Sequence, residues 1–197
     1  MTHRILSLAC TLVLSLALAG PAAAMNIDGT NFDDSVQLGG AALRLNGVGL
    51  RAVAWLKGYA AGLYLSERVA TPEAAIAAPG PKRLQMKMLL EVEAEEFVKA
   101  IDKGIRRNTP QADQPKLAAR QQQFRAAVLA LRVVRRGDVI DLDYLPGRGM
   151  TMTVNGSLRG APLPGDDFYA AVLRIFIGDR PVDDDLKAGL LGQRPPG

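Results

Sequence analysis

The 197 residues hold one cysteine and one histidine, Cys10 and His3, and both fall among the first ten. That stretch reads as a secretory leader rather than as a piece of the fold. Arg4 gives a positive start, ILSLACTLVLSLALA (5–19) is an apolar run short for a bilayer span, and Ala22-Ala23-Ala24 offers a small-residue cleavage site. Cys10 lies inside the run, with Ser7 three residues before it, a poor context for lipid attachment. Cleavage is expected after Ala24, with a periplasmic or secreted destination. Residues 25–197 then contain neither thiol nor imidazole. This excludes a Ser-His or Cys-His nucleophile pair, an imidazole general base, a disulfide, and a zinc site built on thiolate or imidazole. A thiol-free chain suits an oxidising compartment, where it has nothing to misoxidise.

Internal repeats, low-complexity blocks and linkers long enough to separate a second domain are also missing. One domain over 25–197 is expected, a length that buries about 70% of its unfolded surface. Charge excess is small: the net is +4, and Arg4 supplies one of the four. The densest basic stretch, RVVRR (132–136), suits the negative end of a helix rather than nucleic acid, and nothing in the pattern supports a peripheral membrane contact. Asp183-Asp184-Asp185 complements a helix dipole rather than holding a cation. Glu91, Glu93, Glu95 and Glu96 form a solvated helix start rather than a glycosidase pair. Gly39-Gly40 and Gly147-x-Gly149 lack the strand-loop-helix context of a phosphate loop and read as turns. No metal or cofactor is expected.

What is present is clear periodicity. Residues 27–65 contain β-like runs. From Arg51 onward the odd positions would put Arg51, Val53 and Trp55 on one strand face, with Leu50, Ala52, Ala54 and Leu56 on the other, so that both faces are buried. A short helix is expected at Pro72–Ala77, a strand at Arg83–Val92, a helix at Glu93–Arg107 and another at Pro115–Val134. A meander follows, with alternation over 139–144 and 150–154 and a hairpin at Asn155-Gly156. Asp166-Asp167 opens a helix that stops at Gly178, and Asp183–Asp185 opens a last one near Leu186–Leu191. The pattern is α+β: an antiparallel sheet covered by helices on one face.

Within this layout Arg51 stands in a nearly all-apolar stretch, GVGLRAVAWLKGYAAGLYL (47–65). A guanidinium taken out of water needs an anion, and bidentate pairing offsets much of the desolvation cost. An internal Asp or Glu is one candidate partner, which would make the arginine structural. The other is an anionic ligand in a cleft between sheet and helices.

Four segments carry a family resemblance: GVGLR (47–51), KGYAAGLYL (57–65), the helix at 94–108 and AVLRIFIGDRPV (171–182). Together they resemble the chalcone isomerase family, and in particular its bacterial secreted chalcone isomerase-like branch. The resemblance implies an open-faced β-sandwich, a large antiparallel sheet with a helical layer on one face and a ligand cleft between them. In the plant enzymes, intramolecular lyases that close a chalcone to a flavanone, the arginine of the G-x-G-x-R stretch holds the attacking oxyanion. A Thr and a Tyr orient a water on the ketone, and a Lys and an Asn on the long helix line the pocket. Arg51 matches the first of these. Tyr59 falls at the Thr, Phe97 at the Tyr, Ala100 at the Lys and Gly104 at the Asn, while Tyr169 falls where the family has Ser or Thr; a slip of one helical turn would bring Lys99 or Lys103 toward the cleft. Phe97 cannot polarise a ketone through a hydroxyl, and losing such a contact costs about two to three orders of magnitude in rate. The same family contains non-catalytic members that bind fatty acids, where the equivalent Arg, helped by a Tyr, grips the carboxylate.

The resemblance therefore implies a small amphipathic carboxylate or phenolate as ligand, with Arg51 and Tyr59 at its acid group. Trp55, Phe97 and Ile101, with Val172 and Phe176, are the candidate tail contacts, and Tyr169 is a further pocket candidate. Two alternatives stand beside this reading. One is an isomerase-type intramolecular lyase on another substrate, with Arg51 and Tyr59 as its catalytic pair. The other is a structural or interaction module in which Arg51 pairs internally.

Overall fold

The computed structural model describes residues 24–53 and 56–193. The expected leader therefore lies outside the described residues but for Ala24. β1 (Ala24–Ile27) and β2 (Thr30–Asp33) form a small hairpin. β3 (Ser35–Leu38), β4 (Ala41–Val53) and β5 (Leu56–Leu65) follow, then α1 (Pro72–Ala77), β6 (Lys82–Met88) and the two-residue β7 (Val92–Glu93). α2 (Ala94–Asn108) and α3 (Gln114–Leu129) come next, with β8 (Val133–Val134) pairing back onto β7. β9 (Val139–Leu145), β10 (Gly149–Val154), β11 (Ser157–Leu163), α4 (Asp166–Ile177) and α5 (Asp184–Leu190) complete the chain. Seven strands make one antiparallel sheet in the order β11-β10-β9-β6-β5-β4-β3.

The pairing of β6 with β9 joins the two halves of this sheet, and the alternation of side chains decides which side meets the helices. Lys82, Leu84, Met86 and Met88 are buried, and Ile140, Leu142 and Tyr144 of β9 share their face in the main core. Arg83 and Gln85 point the other way, opposite Asp143 and Asp141 in register. There Arg83 forms two parallel bonds to Asp143, Nε to Oδ1 and Nη2 to Oδ2, both 2.6 Å, while Gln85 donates to Asp141 at 2.8 Å. α4 is apolar on most of its circumference because it lies in the main core, in contact with α1, α2, α3, α5 and β10. Gly104 lets α2 approach it closely, since a β-carbon there would sit 2.7 Å from the Ile175 side chain. The second face of the sheet is not bare. A smaller core of Phe32, Leu43, Leu45, Ala60 and Tyr64 lies there, with Phe32 contributed by the β1–β2 hairpin.

Much of the expected pattern is present. α1 has the expected bounds, α4 ends against Gly178, and Asn155 and Gly156 turn with φ of 52° and 74° as a two-residue hairpin requires. Four expectations are corrected. The run around Arg51 is not one regular strand: β4 and β5 form a hairpin with register shifts at Leu45/Gly47 and Arg51/Ala52, so strict alternation fails there. Nor is it buried on both sides throughout, for Leu56 is half exposed. The α3 helix stops at Leu129 rather than Val134, because Arg132 takes a left-handed φ of 63° and Val133–Val134 is drawn into pairing with β7. The strand from Arg83 ends at Met88, with Val92 in that same separate pairing.

Thr71 caps α1, its hydroxyl accepting from the Ala74 amide at 3.2 Å. Thr71→Ala should therefore lower stability by about 1 kcal/mol, seen as a reduced urea midpoint with an unchanged slope.

Candidate ligand-binding site

The site begins with two glycines of the GVGLR segment. A β-carbon on Gly47 would lie 2.2 Å from the carbonyl oxygen of Gly189, and one on Gly49 would lie 2.5 Å from that of Leu186. Gly189 is equally tight, its would-be β-carbon 2.3 Å from Val48 O. Backbone thus lies on backbone where α5 crosses β4, and the Asn46 amide fixes the crossing by donating to Leu190 O at 2.7 Å. This approach brings the first residues of α5 beside Arg51. Asp183 caps the helix, Oδ1 accepting from the Leu186 amide at 2.9 Å, while Oδ2 accepts from Arg51 Nη1 at 3.0 Å.

Arg51 therefore has an internal carboxylate partner, as one of the two sequence readings expected, and the picture of a cation waiting only for a ligand is corrected. The pairing is single-ended. Nη1 also donates to Ala52 O, but among the described residues Nη2 and Nε donate to no protein acceptor. The Arg51 side chain keeps 24% of its surface exposed, so it is neither locked into a bidentate pair nor sealed from a ligand.

Tyr59 lies directly opposite Arg51 in the β4–β5 register, as the pairing of these two residues on one sheet requires. Its ring is buried. Burial raises its pKa well above the ordinary phenol value; Arg51 opposes this and Asp183 reinforces it. The group stays protonated and acts as a donor.

Arg51 and Tyr59 open onto a cavity of about 390 Å³ between the sheet and the helices. Met86 and Leu142 line it from the sheet, Phe97 and Ile101 from α2, and Val172 and Phe176 from α4. Of the described residues around it, Arg51 is the only cation and Glu96 the only acid, and Glu96 is held by the exposed Lys99 at 2.6 Å. Ala100 also lines the cavity, whereas Lys103 is exposed and Gly104 packs on Ile175, so α2 presents no amine there.

The site candidates thus divide. Arg51, Tyr59, Phe97 and Ile101 come together, and Trp55 lies outside the described residues. Tyr169 does not join them. It sits seven residues before Phe176, about 10 Å toward the start of α4, where its ring stacks on Tyr144 at 5.1 Å and borders a different cleft. Asp183 was missed as a partner because 132 residues separate it from Arg51; its acidic run does signal the helix start that carries it.

An antiparallel sheet roofed by helices over an apolar cavity, with an arginine and a tyrosine on adjoining strands, defines the class to which these geometries point. The chain belongs to the chalcone isomerase-like family, whose model matches residues 24–192. Comparison with curated proteins finds no match. Among solved structures, a fatty-acid binding protein of Arabidopsis thaliana superposes with a TM-score of 0.67, covering 86% of this chain and 96% of that one at 17% sequence identity. At that identity the likeness speaks for the fold.

Proposed function

We propose that the protein binds a small amphipathic acid, a fatty acid or one like it, without transforming it, and that it does so outside the cytoplasm. The observation that carries this reading is an apolar cavity of about 390 Å³ whose described lining offers one cation, opposite a tyrosine in register on the next strand. The volume falls in the range of about 300–1,000 Å³ usual for ligand pockets. The acid group accepts from the free edge of the Arg51 guanidinium and from Tyr59, while Asp183 keeps Nη1; a planar fork of five N–H donors serves two carboxylates at once. The tail takes the apolar walls, gaining about 0.8 kcal/mol per buried methylene. Binding without catalysis is supported by α2, which faces the cavity with Phe97 and Ala100, neither able to polarise a carbonyl or move a proton. That the neighbouring fold is a fatty-acid binding protein supports it further.

Calorimetric titration with dodecanoate and dodecanol tests the reading. Because hydrogen bonds to a charged group are worth about 1.5–3 kcal/mol, the acid should bind at least about tenfold more tightly than the alcohol. Ala100→Trp should fill the cavity and abolish uptake with the circular dichroism spectrum unchanged. Equal affinity for acid and alcohol, or no binding of either, would overturn the proposal.

A further inference from the structure

A second cleft, of about 450 Å³, lies between the loop after α1, the end of β9 and the first turn of α4. It shares no lining residue with the Arg51 cavity. Lys82 lines it together with Tyr144, Asp166 and Tyr169. Lys82 occupies the first helix-facing position of β6, ahead of Leu84, Met86 and Met88, and alternation carries its side chain inward with theirs; only 6% of the residue is exposed.

Lysine is almost never buried to this extent without a partner. Among the described residues no carboxylate lies within 4.0 Å of its Nζ, which has no hydrogen-bond acceptor and rests 4.8 Å from the centre of the Tyr144 ring. With its stem buried, its Nζ reaching only the cleft and no carboxylate within 4.0 Å among the described residues, the ammonium form is disfavoured against the neutral amine. Burial accordingly lowers the Lys82 pKa, with the field of Asp166 opposing it. Tyr169 borders the same cleft, but its hydroxyl is closed to solvent and lies near Asp143 and Arg83 rather than Lys82. Tyr144 is pushed up to about 12 by burial and by its hydrogen bond to Asp166.

We propose that Lys82 is a carbonyl-capturing amine and that this cleft is a second small-molecule site, for an aldehyde or ketone. Nζ adds to the carbonyl carbon, a C–N bond forms, and the carbonyl oxygen leaves as water with the two amine hydrogens. The product is an imine on Lys82; no oxidant or reductant takes part. A desolvated lysine is the usual nucleophile for this step. Asp166 supplies the negative charge that balances the protonated imine.

The test is reductive labelling of the intact protein with benzaldehyde and cyanoborohydride at neutral pH, with the adducts located by peptide mass spectrometry. Because burial lowers its pKa and leaves more of it neutral, Lys82 should label faster than the exposed Lys103. In urea, where the cleft is gone, the two should label alike. Lys82→Met should remove only that adduct. Lys82 labelling no faster than Lys103 in the folded protein, or keeping its advantage in urea, would overturn the proposal; neither readout depends on the Arg51 cavity or on its ligand.

Discussion

Replacing Arg51 by alanine is expected to weaken dodecanoate binding by about tenfold to a hundredfold, whereas Asp183→Asn should leave it unchanged or strengthen it. The first figure is the loss of hydrogen bonds between a guanidinium and a carboxylate, about 1.5–3 kcal/mol. The second follows from the double duty of Asp183. Its Oδ1 caps α5 and its Oδ2 holds Arg51 Nη1. Asparagine caps a helix as well as aspartate does, so the substitution keeps α5 in place while removing the counter-charge that competes for the guanidinium. Calorimetry on both variants, with thermal unfolding as a check on the fold, separates a ligand anchor from a purely structural pair. If the arginine served only to tie α5 to β4, the two variants would lose similar stability and neither would change the affinity for the acid.

Gly47→Val is expected to cost about 3 kcal/mol or more in urea unfolding, at the upper end of what overpacking usually costs. The added carbon would meet the Gly189 carbonyl at 2.2 Å and the Gly192 amide nitrogen at 2.6 Å. Both are main-chain atoms, so no rotamer change relieves the clash. Only separating α5 from β4 does, and this also withdraws Asp183 from Arg51. Gly80→Ala provides the contrast: φ there is +80° with open space around the would-be β-carbon, so the cost is backbone strain alone, about 1 kcal/mol. Similar losses in the two variants would show that the glycine-mediated crossing does not hold the site together. The family's G-x-G-x-R pattern thereby acquires a physical reading here. The glycines admit a helix, and that helix brings the arginine its carboxylate.

The elements most legible in the sequence are those whose ends are written in local chemistry. Thr71-Pro72 opens α1, Asp166-Asp167 and Gly178 bracket α4, and Asn155-Gly156 makes its turn. The errors arose where local signal was absent or overruled. β4 ends at Val53 and β5 begins at Leu56, and the sequence between them offers no glycine, proline or asparagine to mark a break. The end of α3 was set by Val133 and Val134 pairing with β7, a contact between segments about 40 residues apart. Tyr169 was placed through the family pattern, where it falls at a Ser or Thr; it faces a different cleft because it sits about two turns before Phe176 along α4.

By itself the chain's order of residues determined the α+β layout, the apolar stripes, and the presence of one guanidinium in a greasy setting. Periodicity and turn chemistry act over a few residues, and a few residues are enough to settle such matters. Which carboxylate meets Arg51, which sheet face receives the helices, and whether Lys82 finds a partner were decided only when distant segments packed. Those outcomes depend on where side chains end up in space, and no local preference encodes a distance between residues far apart in the chain.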